Sequence, residues 1–246
     1  MTPFFSLLRL SLRRAPTLCR AAVGLGRVAV TSVTLLTLTA CSSKPPTPDW
    51  QMNAQGSAQK ATEAYLSGNT RVEQLEWDNA RAEVSRPGRA DLLARLELMR
   101  CATQVASLVP QVCDRFDALR PDAAAPEQAY ADYLANRLQP QHIPLLPEAQ
   151  RNVAASGDAA ALVSIEDPLS RLVAAGVLFQ AGRASPQVID SAIQTASTQG
   201  WRRPLMAWLG VQISRAEASG DTEAVAALRR RLAIVEKKAD ARAAPR

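Results

Sequence analysis

The sequence predicts an all-α fold, arranged either as stacked helical hairpins in a short α-solenoid or as an irregular helical bundle. Three observations carry that expectation. Apolar residues recur at spacings of three and four, alternating runs long enough for strands are absent, and proline and glycine punctuate the chain at helix-length intervals. With 246 residues, 47% of them hydrophobic and 21% charged, the chain can bury a core as one domain or two small ones.

Asp49, the first acidic residue of the chain, stands where an N-cap would open the first helix before Trp50. Gly68-Asn69 should end that helix, and Pro87-Gly88 the next. Between Arg89 and Val109 one stripe holds Leu92, Leu96, Met99, Thr103 and Ala106, and a second holds Leu98, Cys101, Val105 and Leu108. Two stripes mean burial over a wide face, with Pro110 as the stop. Pro126 can start a helix carrying Tyr130, Tyr133 and Leu134, the two tyrosines sharing a face at the edge of the core. The proline-rich stretch Gln139–Pro147 reads as extended, and as the boundary between an N-terminal lobe, 49–138, and a C-terminal lobe, 148–240.

Asp167-Pro168 and Ser185-Pro186 each read as an N-cap followed by the first helical residue. Gly220-Asp221 closes a helix before Thr222 opens the last one, in which Val225, Leu228, Leu232 and Val235 face away from Arg229, Arg230 and Arg231. The arginines are then a solvated face. Eight or nine helices are expected in all, with Trp77 and Trp208 inside apolar stripes and therefore in the core.

Pro168-Leu169 and Pro204-Leu205 lie 36 residues apart, and each opens a helix, a turn and a second helix. Around Gly68, Trp77 and Ala80, and again around Gly220-Asp221 with Leu232, the chain resembles a degenerate tetratricopeptide hairpin. The resemblance covers two hairpins, with Glu73 where that family prefers Ala. It implies a solenoid surface for protein partners.

The first forty residues read as an address. Five arginines and no acid precede an apolar run, Val28–Ala40, that is shorter than the ~20 residues of a spanning helix and suits a secretory h-region. The early cluster Phe4, Phe5, Leu7 and Leu8 lengthens the n-region and suggests a start downstream of Met1. Leu38-Thr39-Ala40-Cys41 resembles the lipobox of bacterial lipoproteins. That resemblance implies removal of residues 1–40 as a signal peptide and lipidation of Cys41 as the new first residue. Ser42, in place of the Asp that commonly retains such proteins at the inner membrane, implies the outer membrane, periplasmic face; an inner-membrane lipoprotein is the alternative. Residues 41–48, rich in proline, would form a tether reaching about 20 Å in polyproline II geometry.

Removing the five leader arginines from 29 basic residues leaves 24 against 23 acidic ones. Nucleic acid is not an expected partner, because binding it requires clustered, uncompensated positive charge. Cys19 leaves with the leader and Cys41 takes lipid, so Cys101 and Cys113 remain, an even pair that an oxidising compartment would join as a disulfide. Two separately buried thiols are the alternative.

His142 is the only histidine, and no catalytic, metal or cofactor motif is recognisable, so neither metal nor cofactor is expected. Glu166-Asp167 is the most prominent carboxylate pair, read first as a helix cap; Glu73, Glu76 and Asp78 read as a solvated face. The most site-like stretch is Gly200-Trp201-Arg202-Arg203-Pro204, an aromatic plane and two guanidinium forks at a helix start. Trp201, Arg202 and Arg203 could hold a carboxylate, phosphate or sugar; alternatively Trp201 staples the helix into the core while the arginines face water or pair with acids. The expected function is a non-enzymatic, lipid-anchored adaptor or scaffold with an envelope protein partner. A carboxylate-dependent peptidoglycan-active enzyme, or a lipoprotein that binds a glycan or another ligand, is the other reading.

Overall fold

The computed structural model describes residues 46–109 and 113–243, with side chains through residue 236. The expected signal peptide, Cys41, most of the tether and Pro110 lie outside the described residues. Within them the protein is all-helical, as the periodicity predicts.

The first hairpin pairs α1 (Asp49–Ser67) with α2 (Thr70–Ser85) across a two-residue connection. Gly68 takes the left-handed conformation there, φ 83°, which only glycine adopts without a Cβ penalty, and the amides of Gly68 and Asn69 return to Tyr65 and Ala64. The Asn69 side chain then accepts from the Val72 amide and caps α2. One end signal thus serves two helices. Asp49 is not the cap expected of it: Pro48 holds that position, and Asp49 lies in the first turn, where its charge complements the helix dipole.

Helix α3 (Ala90–Ala106) is central, packing on α1, α2, a one-turn α4 (Asp114–Asp117), α5 (Ala125–Leu134) and α8 (Pro168–Gln180). Both expected stripes are buried as far as Ala106; Leu108 falls beyond the helix end and is half-buried at φ 57°. Tyr130 and Tyr133 are buried within the core rather than at its edge, with ring centroids 6.1 Å apart.

Short helices α6 (Glu148–Ser156) and α7 (Ala159–Val163) follow, then α8, α9 (Pro186–Gln199), α10 (Arg202–Ser219) and α11 (Thr222–Ala243). Asp167 and Ser185 cap α8 and α9 as their sequences predict, accepting from the Ser170 and Val188 amides. Eleven α-helices among the described residues exceed the expected eight or nine, because single-turn elements such as α4 and α7 are too short to leave a periodic signature.

Gln139–Pro147 is extended only at its ends, Gln139 and Leu146-Pro147. Pro140–Leu145 forms a 3-10 helix in which His142 donates to the Gln139 carbonyl, and Leu146, just beyond it, enters the core. Proline fixes φ near −65°, which a 3-10 helix also uses, and one this short needs few amide donors. One hydrophobic cluster runs from Ala54 on α1 to Leu209 on α10. Inside it the Tyr133 hydroxyl donates to Gln150 Oε1, and Gln150 Nε2 donates to the Ser170 carbonyl, tying α5, α6 and α8 together.

Helices α3 and α8 approach closely at Gly176. A Cβ on Gly176 would collide with the Val105 carbonyl oxygen and lie 3.0 Å from the Val105 carbonyl carbon. Backbone cannot yield as a flexible side chain does, so Gly176→Ala should lower stability by about 1–3 kcal/mol. Urea denaturation checks this; an unchanged midpoint would mean that the two helices separate at no cost.

No helix among the described residues is long and apolar enough to cross a membrane.

Candidate functional site

The site-like stretch Trp201-Arg202-Arg203 forms the start of α10, with Trp201 at the N-cap position. Gly200, at φ 68°, ends α9 and turns the chain so that these three side chains meet the first hairpin. Pro204 is the third residue of α10 and buried, so it reinforces the helix start rather than opening it.

The indole of Trp201 is 9% exposed, and its Nε1 donates to Glu63 Oε2 on α1 at 3.0 Å. Arg203 reaches α2. Its Nη1 lies 3.0 Å from Glu73 Oε2, its Nη2 donates to Thr70 Oγ1 at 2.9 Å, and its guanidinium lies 4.2 Å from the Tyr65 ring centroid. Arg202 lies against the hairpin turn at Gly68, with its Nε buried and without a hydrogen-bond partner. The stretch therefore clamps the start of α10 to α1 and α2, across some 130 residues of sequence. That is the staple arrangement, and it occupies the fork of Arg203 and the indole N–H with protein groups.

Compared with protein-family models, curated proteins and solved structures, the chain matches none.

Glu73 is the participant that sequence reasoning misplaced. It is 5% exposed, not solvated, whereas Glu76 is half-buried and Asp78 is exposed and paired with Arg81. A signal was present: Glu73 shares its helical stripe with Trp77, Ala80 and Val84, all buried. Burial pushes the nearby Tyr65 phenol above its ordinary value, against the opposing pull of Ser107 and the Arg203 charge. Burial does the same to Tyr130 and Tyr133, which remain neutral at physiological pH.

The other candidates are dispersed. His142 is half-buried on the 3-10 helix, Glu166 is exposed, and Asp167 is engaged as the cap of α8. Arg229, Arg230 and Arg231 are exposed along α11, with Arg229 paired to Glu217. Among the described residues no group of three or more His, Cys, Asp or Glu is placed to hold a metal ion.

Cys101 and Cys113 are joined, their Cα atoms 5.6 Å apart, within the range a disulfide requires. The bridge pins the residue before α4 to the middle of α3. The cysteines are 12 residues apart, and closing so short a loop contributes about 3 kcal/mol in the chain-entropy model. Reduction, or the Cys101→Ala/Cys113→Ala pair, should lower the unfolding free energy by about that amount in urea denaturation. A reduced protein as stable as the oxidised one would assign the bridge no structural weight.

Proposed function

We propose that the protein is a lipid-anchored lipoprotein of the bacterial envelope whose helical body serves as an adaptor or scaffold. The observation that carries this reading is the lipobox-like Leu38-Thr39-Ala40-Cys41, following a basic stretch and a short apolar run and preceding a proline-rich tether. Two features of the body support it. The Cys101–Cys113 bridge suits an oxidising compartment, and helical hairpins such as α1–α2 and α10–α11 are the kind of unit through which helical repeats bind other proteins.

Cys41→Ala tests the anchor. The native protein should fractionate with membranes and yield an acylated N-terminal peptide beginning at Cys41, whereas the variant should lose the acyl mass and the membrane association together. A native N-terminus upstream of Cys41, or an unmodified Cys41 thiol, would refute the anchoring. Cross-linking in intact cells tests the adaptor role, for which a reproducible envelope neighbour is the expected result. Release of fragments from peptidoglycan by the purified protein would favour the enzymatic reading instead.

A further inference from the structure

We propose that the outward face of α11 lies against an anionic phospholipid surface. The proposal rests on α11 and not on lipidation of Cys41. Charge is segregated along the chain: residues 229–246 carry seven basic and two acidic groups, whereas residues 49–228 carry 16 basic and 21 acidic ones. A body with almost no net charge therefore gathers a strong positive excess in its last stretch. The signs are ordered within α11 as well. Asp221 and Glu223 stand at its start, where Asp221 accepts from the Ala224 amide and both complement the helix dipole. Arg229, Arg230 and Arg231 follow about two turns later.

Helix α11 packs chiefly on α10, and none of its described side chains is fully buried. Leu228, Leu232 and Val235 pack against the core cluster. Ile234 lies away from that stripe and is 72% exposed, the most of any large hydrophobic residue among those described. Arg230 and Arg231, four and three residues before it, flank it one turn away and are exposed too. Arg229 is engaged with Glu217, but Arg231 donates only to the neutral Ser197 Oγ, and among the described residues Arg230 makes no ion pair. Two uncompensated guanidinium groups thus border a bare aliphatic side chain.

That combination fits a bilayer interface. Guanidinium forks pair with the phosphate oxygens of headgroups, while the side chain between them reaches toward the acyl boundary. A helix covered along one side only is convex, and gives a protein partner little shape to match. A fluid, planar surface needs no such match, because its headgroups rearrange around the charges. With one apolar contact the attraction is chiefly electrostatic, so salt weakens it, and each basic residue near the surface strengthens binding about fivefold.

Photo-crosslinking of the full oxidised chain tests this. The vesicles carry a photoactivatable phosphatidylcholine and are made of phosphatidylcholine, with or without phosphatidylglycerol as a third of the lipid. Mapping the label to tryptic peptides reads α11 separately from any adhesion of the leader. At subsaturating lipid, the peptide containing Ile234 should be labelled about tenfold more on anionic than on neutral vesicles, and the difference should vanish in about 1 M salt. Arg230→Gln, at an exposed residue without an ion pair, should lower the labelling about fivefold, and Arg230→Gln with Arg231→Gln about twentyfold. Equal labelling of that peptide on the two vesicles, unchanged labelling in Arg230→Gln, or label confined to other peptides would overturn the proposal. So would a dimer in sedimentation that Arg230→Gln dissociates, because it would assign the face to a second copy of the chain.

Discussion

Trp208→Ala is expected to lower the unfolding free energy by about 4 kcal/mol, as large-to-small substitutions of buried aromatic residues do. Trp208 is fully buried at the centre of α10, edge-on to Phe179 of α8 with ring centroids 5.8 Å apart. Its Nε1 donates to the Ala106 carbonyl at 3.2 Å. Ala106 ends α3, and carbonyls in the last turn of a helix have no partner within that helix. The substitution thus opens a cavity between α8 and α10 and also orphans a buried acceptor at the end of α3. Trp208→Phe separates the two effects, because it keeps most of the ring packing while removing the donor; a loss of about 1–2 kcal/mol is expected from that alone. Urea denaturation of both variants provides the check. A loss below about 1 kcal/mol for Trp208→Ala would mean that the surrounding helices collapse into the space freely.

The clamp at the start of α10 should behave as a coupled unit. Removing Glu73 alone leaves the Arg203 guanidinium against Tyr65 with one anchor fewer, and breaking such a buried pair costs about 3 kcal/mol, the lower end of its range because the Arg203 side chain is 27% exposed. Replacing both partners by apolar residues should recover much of the loss, since neither charge is then stranded. The sequence Glu73→Met, Arg203→Met and the double variant forms a cycle whose coupling energy should be about 1–3 kcal/mol. Hydrogen exchange gives a second view: the α1–α2 hairpin meets the rest of the body through α3 and α10, so losing the clamp should raise its exchange ahead of α8 and α9. A coupling energy near zero, or uniform exchange, would mean that α1 and α2 are held by α3 alone.

The same residues show where sequence reading stopped. The caps Asp167 and Ser185, the turn at Gly68-Asn69 and the stripes of α3 are legible because each signal and its structural effect lie within one or two turns of helix. Cys101 and Cys113 are close in sequence, so a helix ending between them suffices to bring them together. Glu73 reads as solvated because its own neighbourhood is charged, although its place in the Trp77 stripe points inward. No local feature of Arg203 names its partner on α2. Gln139–Pro147 departs from its extended reading for a related reason: proline excludes a long α-helix but permits a short 3-10 helix, and the burial of Leu146 favours the compact option.

By itself the sequence determined the helical class, most helix ends and the core stripes, all matters of short-range spacing and composition. The tertiary structure decided what those elements meet: the clamp of α10 on the first hairpin and the bare approach of α8 to α3 at Gly176. Such contacts depend on distances between groups tens to hundreds of residues apart, and a one-dimensional pattern carries the reach of a helix but not the position of its neighbour.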